Sequence, residues 1–204
     1  MFKDKIDTHQ EIQGNNNQQA QGNINNNFHI HSASERLLTR LPSLMSAAAL
    51  RLAATIQSTP PPPTKTPYPY AINQKIEYNA VRGYRKWIDD YGTYGYAVDA
   101  AYNAVDECTP GAKTRILRNI WTKYTDIRAQ LIQNHIKPIA TQADEILIIQ
   151  KHADNIIHIV SQKILHEIEH SPEQGLFVED LNFSANAITC HAFINCHILD
   201  RPPS

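Results

Sequence analysis

Glycine, cysteine and net charge are all scarce in this chain, and each scarcity removes a class of function. Seven glycines in 204 residues build no Gly-rich phosphate loop, and neither a nucleophile elbow nor a paired-carboxylate frame is recognisable. Enzymatic chemistry therefore has little to stand on, and no cofactor is expected. Three cysteines, Cys108, Cys190 and Cys196, are an odd number without framework spacing. They suit reduced thiols in the cytoplasm rather than a disulfide scaffold. With 19 Lys+Arg against 20 Asp+Glu, the balance gives no electrostatic reason to expect nucleic acid, except indirectly, or an anionic membrane as the main partner. No run approaches the about 20 apolar residues that a membrane-spanning helix needs. The N-terminus MFKDKIDTHQ lacks the apolar core of a signal peptide, so the expected location is cytoplasmic, with no membrane partner.

What the chain has in excess is asparagine near its start and amphipathic helix elsewhere. Residues 13–28 read QGNNNQQA and then QGNINNNF, an eight-residue unit written twice. Gln13, Gly14, Asn15, Asn16 and Asn17 of the first copy and Gly22, Asn23, Asn25, Asn26 and Asn27 of the second are candidates for contacts between protomers. Asn and Gly tolerate the left-handed backbone of tight turns, and stacked Asn side chains can form hydrogen-bonded ladders. The strict alternation Phe28-His29-Ile30-His31 reads as a short strand closing the repeat. The competing reading is a disordered polar tail.

Residues 34–57 carry Leu37, Leu38, Leu41, Leu44, Met45, Ala48, Leu52 and Ile56 at helical spacing, with Pro42 kinking or dividing the helix and Ser34 and Ser43 as caps. Pro60 to Pro63, Pro67 and Pro69 then forbid helix and mark a polyproline linker. The expected organisation is an Asn/Gln-rich repeat at 1–31, an amphipathic helix at 32–58, a Pro-rich linker at 59–71 and a helical interaction domain at 72–204.

Within that domain the periodicity predicts four helices. The first is capped by Asn79 and carries Val81, Tyr84, Ile88, Tyr91, Tyr94, Val98, Tyr102 and Val105. Thr109-Pro110 opens the second, with Ile116, Ile120, Tyr124, Ile127 and Leu131 on one face. Thr141 and Asp144 resemble a capping box for the third, whose stripe of Ile146, Ile149, Ala153, Ile156, Val160, Ile164 and Ile168 runs to Ser171-Pro172. The fourth starts near Ser184 and carries Ala185, Ile188, Ala192, Phe193, Cys196 and Leu199. Long amphipathic helices bury their stripes against one another. The fold class is therefore all-α, a bundle of about four helices preceded by a short helix and an Asn-rich segment able to form short β-structure.

Three constellations invite chemistry. His166-Glu167-Ile168-Glu169-His170 satisfies HExxH, in which two histidines one helical turn apart bind zinc and the glutamate, here Glu167, is the general base. A small zinc-dependent hydrolase using His166, His170 and Glu167 is accordingly the alternative function. Against it stand the charge of Glu169 inside the motif, the helix-ending Pro172 and the lack of an upstream strand pattern, which favour a solvated last turn. Cys190-His191 and Cys196-His197 are six residues apart, so they point to different sides of a helix, and the cysteines read as small buried hydrophobes. The aromatic run Trp87, Tyr91, Tyr94, Tyr96 and Tyr102 reads as core rather than as a base-stacking platform. Gly92 and Gly95 lie inside it, each costing roughly 1 kcal/mol relative to Ala. They are expected to mark a close helix contact.

Lys75-Ile76-Glu77-Tyr78-Asn79, Tyr84-Arg85-Lys86-Trp87-Ile88, Tyr91-Gly92-Thr93-Tyr94, KTRILRNI over 113–120 with Tyr124, Ala153-Asp154-Asn155-Ile156-Ile157, and AFINCHILDRPP over 192–203 together resemble the C-terminal domain of the third component of prokaryotic ABC-three-component conflict systems, the group that includes Lamassu. The resemblance covers about 76–203. It implies a domain that couples an effector, often a nuclease, to an SMC-like ABC ATPase and a small middle component. Here the Asn-rich repeat and a short helix stand where that plan has an effector domain, which implies a non-enzymatic adaptor or oligomeriser within the system.

Overall fold

Pro42 and Ser43 lead into the first described helix, α1, Leu44–Ser58. Ser43 Oγ accepts the backbone N–H groups of Met45 at 3.1 Å and Ser46 at 3.4 Å, satisfying donors that a helix start leaves unpaired. The computed structural model describes residues 42–58, 70–135, 141–171 and 175–202. Over these the protein is all-helical. The Asn-rich residues Gln13 to Asn17, Gly22, Asn23 and Asn25 to Asn27, and the linker over 59–69, lie outside the described residues.

After α1 come α2 (Tyr70–Tyr78), α3 (Arg85–Gly92), α4 (Gly95–Cys108), α5 (Ala112–Gln133), α6 (Gln142–Lys151), α7 (Ala153–Glu169) and α8 (Val178–Ile194). The expected Thr141 capping box is present: Thr141 Oγ1 accepts from the Asp144 N–H and the Asp144 carboxylate accepts from the Thr141 N–H. Two expected long helices are each broken in two. The stripe from Val81 to Val105 divides at Thr93 and Tyr94: α3 packs on α8, whereas α4 packs on α1 and α5 as well as on α8. The stripe from Ile146 to Ile168 divides at His152, so that α6 lies against α5 while α7 packs on α8 and α5. The last helix starts six residues before the expected Ser184 and ends at Ile194, short of Leu199.

The core is built from Ile and small side chains. Ile156, Ile157, Val160 and Ile164 of α7 have no exposed surface, and α1 inserts Met45, Ala48, Ala49 and Leu52 into the same cluster. The alanines keep the helix thin, so α1 approaches α4, α5, α7 and α8 together. The expected boundary at 59–71 is thus one of sequence and not of packing. The helix at 44–58, which the sequence pattern places in a separate segment, supplies part of the core over which the 72–204 helices close.

Leu52 is 0% exposed, so Leu52→Ala should destabilise the chain by roughly 2–5 kcal/mol through lost burial and the cavity left behind. A chain beginning at Ile72 should lose its cooperative thermal melt, read by circular dichroism. An unchanged melt for the truncated chain would show that the remaining helices close the core without α1.

Candidate functional site

Lys75, on α2, is the least expected side chain of the interior, being 2% exposed. Its ammonium donates to the carbonyl oxygens of Phe193 and, at 2.9 Å, Ile198, and stands 4.6 Å from the centroid of the Phe193 ring. A cation at the C-terminus of α8 meets the negative end of the helix dipole and the last unpaired carbonyls. Burial lowers its pKa to about 8, only partly offset by Cys196 and Asp200. One turn later Asn79 gives Nδ2 to the carbonyls of Lys75 and Asp200, both at 2.9 Å, and takes the Asp200 N–H on Oδ1. It is a tie between α2 and the C-terminal segment, not the expected cap of a long helix. The backbone around this tie is unusual: Ala80, Cys196 and Leu199 have φ of 53°, 59° and 62°. Such left-handed conformations cost non-glycine residues energy and persist where the surroundings over-determine them.

A second row crosses from α8 to α5. His191, 5% exposed, places Nε2 at 3.2 Å from the Asp99 carboxylate. Asp99 also binds the Lys113 ammonium at 3.0 Å. Burial lowers the His191 pKa despite Asp99, favouring the neutral imidazole. Asp99 is held below the ordinary carboxylate value: burial pushes it up, and Lys113 and His191 together outweigh that. The arrangement resembles a catalytic dyad in composition, but a general base must reach its substrate, and this imidazole is walled in by Tyr102, whose ring stands edge-on at 5.4 Å.

The HExxH residues separate in space. Glu167 is not a solvated helix-end charge: its carboxylate accepts from Ser43 Oγ at 2.6 Å and Asn119 Nδ2 at 2.9 and 3.1 Å, and pairs with Lys123 Nζ at 2.7 Å. Burial would raise its pKa, but Lys123, Ser43 and Asn119 together hold it below the ordinary value. A carboxylate committed to these partners ties α7 to α5 and to the start of α1. It does not serve as the general base of the hydrolase reading. His166 and His170 are exposed, with ring centroids 3.9 Å apart. A third carboxylate, Asp154, accepts the N–H groups of Arg82, Gly83 and Tyr84, fixing the turn that starts α3.

The glycine pair lies at the α3–α4 break. Gly92 is the last residue of α3 and Gly95 the first of α4. A Cβ on Gly95 would meet the His191 Cδ2 at 4.0 Å, an ordinary contact with no backbone near, so the close helix approach expected there is not what Gly95 provides. Cys190 is buried as expected, whereas Cys196 is exposed. Tyr84, Trp87 and Tyr91 follow one another at centroid distances of 5.2 and 5.5 Å, and Tyr91 meets Phe183. Of the run expected as core, Tyr102 is buried and Trp87 and Tyr91 pack against the cluster, whereas Tyr96 is 44% exposed. The inter-helix roles of Lys75, Asp99 and Glu167 had no periodicity to reveal them, because their partners lie 14 to 124 positions away. No described helix is long and apolar enough to cross a membrane. Comparison with protein-family models, curated proteins and solved structures gives no match.

Glu167→Gln preserves shape and removes charge, and should cost roughly 1–3 kcal/mol at pH 7. Because the folded state lowers this pKa, the stabilisation is present above the ordinary value of 4.5 and is lost as pH falls through the folded value. Wild type and variant melts should therefore converge on acidification. A constant gap down to pH 3 would exclude the ion pair as its source.

For Lys75 the slope has the same sign, but its cause is desolvation and its window is alkaline. The unfolded chain keeps this proton up to pH about 10.5 and the folded chain only to about 8, so between these values folding gains from rising pH. Urea unfolding from pH 8 to 10 should show wild type gaining stability relative to Lys75→Met. If the two move in parallel, the buried ammonium is not desolvated as described.

Proposed function

We propose that this chain is a non-enzymatic assembly and adaptor module of a multiprotein prokaryotic defence system, antiphage or antiplasmid, working in the cytoplasm and coupling to an SMC-like ABC ATPase and a middle component. One observation carries the reading: several residues of the blocks in which the sequence resembles the third component of such systems make ties between elements of this bundle. Lys75, Asn79, Asp154, Phe193, Ile198 and Asp200 all belong to those blocks and all make contacts between separate elements. A resemblance concentrated on scaffold residues supports a shared scaffold, whose work is done by its surface.

That surface offers large apolar side chains. Trp121 on α5 is 52% exposed, Leu147 on α6 63%, and Phe177 with Val178 at the start of α8 about 70%. Exposed Trp is the residue type that most often dominates a protein interface. The Asn-rich repeat at 13–28 would add self-association, because a single eight-residue arch cannot offset the entropy of ordering its backbone, whereas strands from several chains satisfy one another's edges.

Tagged full-length chain, cross-linked in its native host, should recover an SMC-like ATPase identified by mass spectrometry. Trp121→Ala should reduce that recovery about tenfold or more, the scale of a single interface anchor, with an unchanged thermal melt. Light scattering of the chain lacking 13–28 should give a smaller mass than the full chain. Efficient cross-linking without any such ATPase would refute the coupling, and equal masses would refute the role of the repeat.

A further inference from the structure

The last turn of α7 brings together three donors that the Glu167 cluster does not use. His166, Glu169 and His170 are all exposed, and their ligand atoms lie within 4.8 Å of one another. We propose that this turn is a zinc-binding site with two imidazole nitrogens and one carboxylate oxygen as protein ligands and water in the fourth position. It differs in residues and consequence from the HExxH reading, since Glu169 takes part and Glu167 does not.

Three features of the turn support this. Spacings of three and four residues put the donors on one face, one turn apart. His170 Nδ1 lies 2.8 Å from the carbonyl oxygen of His166. A ring nitrogen facing a carbonyl must carry its proton there, which leaves the lone pair of the neutral imidazole on Nε2, directed outward, as metal-bound histidines are commonly oriented. The turn is also held in place, because Glu167, between the donors in sequence, is pinned from the other side by Ser43, Asn119 and Lys123. The helix runs through Glu169, and His170 caps it with its N–H bonded to the His166 carbonyl.

The donor set selects the metal. Two imidazoles and a carboxylate suit zinc, whereas calcium and magnesium favour all-oxygen shells. Zinc–ligand bonds of about 2.0–2.1 Å place tetrahedral ligands about 3.3 Å apart, so side chains now within 4.8 Å need only small rotations, which exposed side chains make freely. No hydrolytic step follows, because the motif's own base is committed to α5 and α1. The site binds and orients; it does not activate water through Glu167.

The experiment counts zinc on the full chain after equilibrium dialysis against zinc chloride. Wild type should retain one equivalent more than His170→Gln and than the double variant His166→Gln/Glu169→Gln. Zinc should raise the melting temperature of wild type only, since a ligand that binds the native state stabilises it. A second reading needs no variant: carbethoxylation of His166 and His170, followed by peptide mass, should slow when zinc is added to the unsubstituted chain. Equal zinc retention by wild type and variants, or carbethoxylation unaffected by zinc, overturns the proposal. Neither result bears on capture of the ATPase.

Discussion

A buried ammonium has to be surrounded by oxygen, and much of the C-terminal half of this protein is arranged around that requirement at Lys75. Removing such a charge from water is tolerable only where dipoles replace the lost hydration. The carbonyls of Phe193 and Ile198 do so from two sides, which obliges the chain after α8 to turn back sharply. The turn carries non-glycine residues Cys196 and Leu199 into the left-handed region, and Asn79 fastens it by bonding the backbone of Asp200 in both directions. Tyr124 of α5 reaches the same Asp200. One desolvated cation thus fixes the relation of α2, α5, α8 and the last described residues.

The same economy recurs at half-buried carboxylates. Glu167 joins α7 to α5 and α1, Asp154 joins α7 to the turn before α3, and Asp99 joins α4 to α5 and α8. Helix packing by ridges and grooves tolerates sliding, whereas a carboxylate with several donors fixes a single register. In a core dominated by isoleucine and alanine, these polar ties are well placed to supply specificity that apolar contacts lack. Their chemistry is consumed in holding elements together, and His191, which with Asp99 looks catalytic in composition, is buried. The outward chemistry lies with the exposed aromatic and aliphatic side chains and the histidine pair ending α7.

The pattern of apolar residues made the all-helical class legible, together with most buried faces and the Thr141 capping box, because these depend on neighbours within about one helical turn. It also marked Ile88, Val98, Ile120, Ile164 and Phe193 as core, and each is buried. Local information could not show that α1 is wrapped by four other helices, since the proline run beside it describes the backbone there and says nothing of where the helix goes. Nor could it show that two continuous stripes are broken at Thr93 and His152, because whether a stripe bends depends on which neighbours its halves face.

For the candidate site, the sequence by itself determined which residue types stood where: the HExxH histidines with Glu167, and the aromatic run. Only the tertiary structure decided what they do. It buried Lys75 among carbonyls, spent Glu167 on Ser43, Asn119 and Lys123, and left His166, Glu169 and His170 together at the surface. The physical reason is distance along the chain. Propensity and periodicity report interactions between near neighbours, whereas the pairing of these charges depends on groups 14 to 124 positions away that only the fold brings within a hydrogen bond.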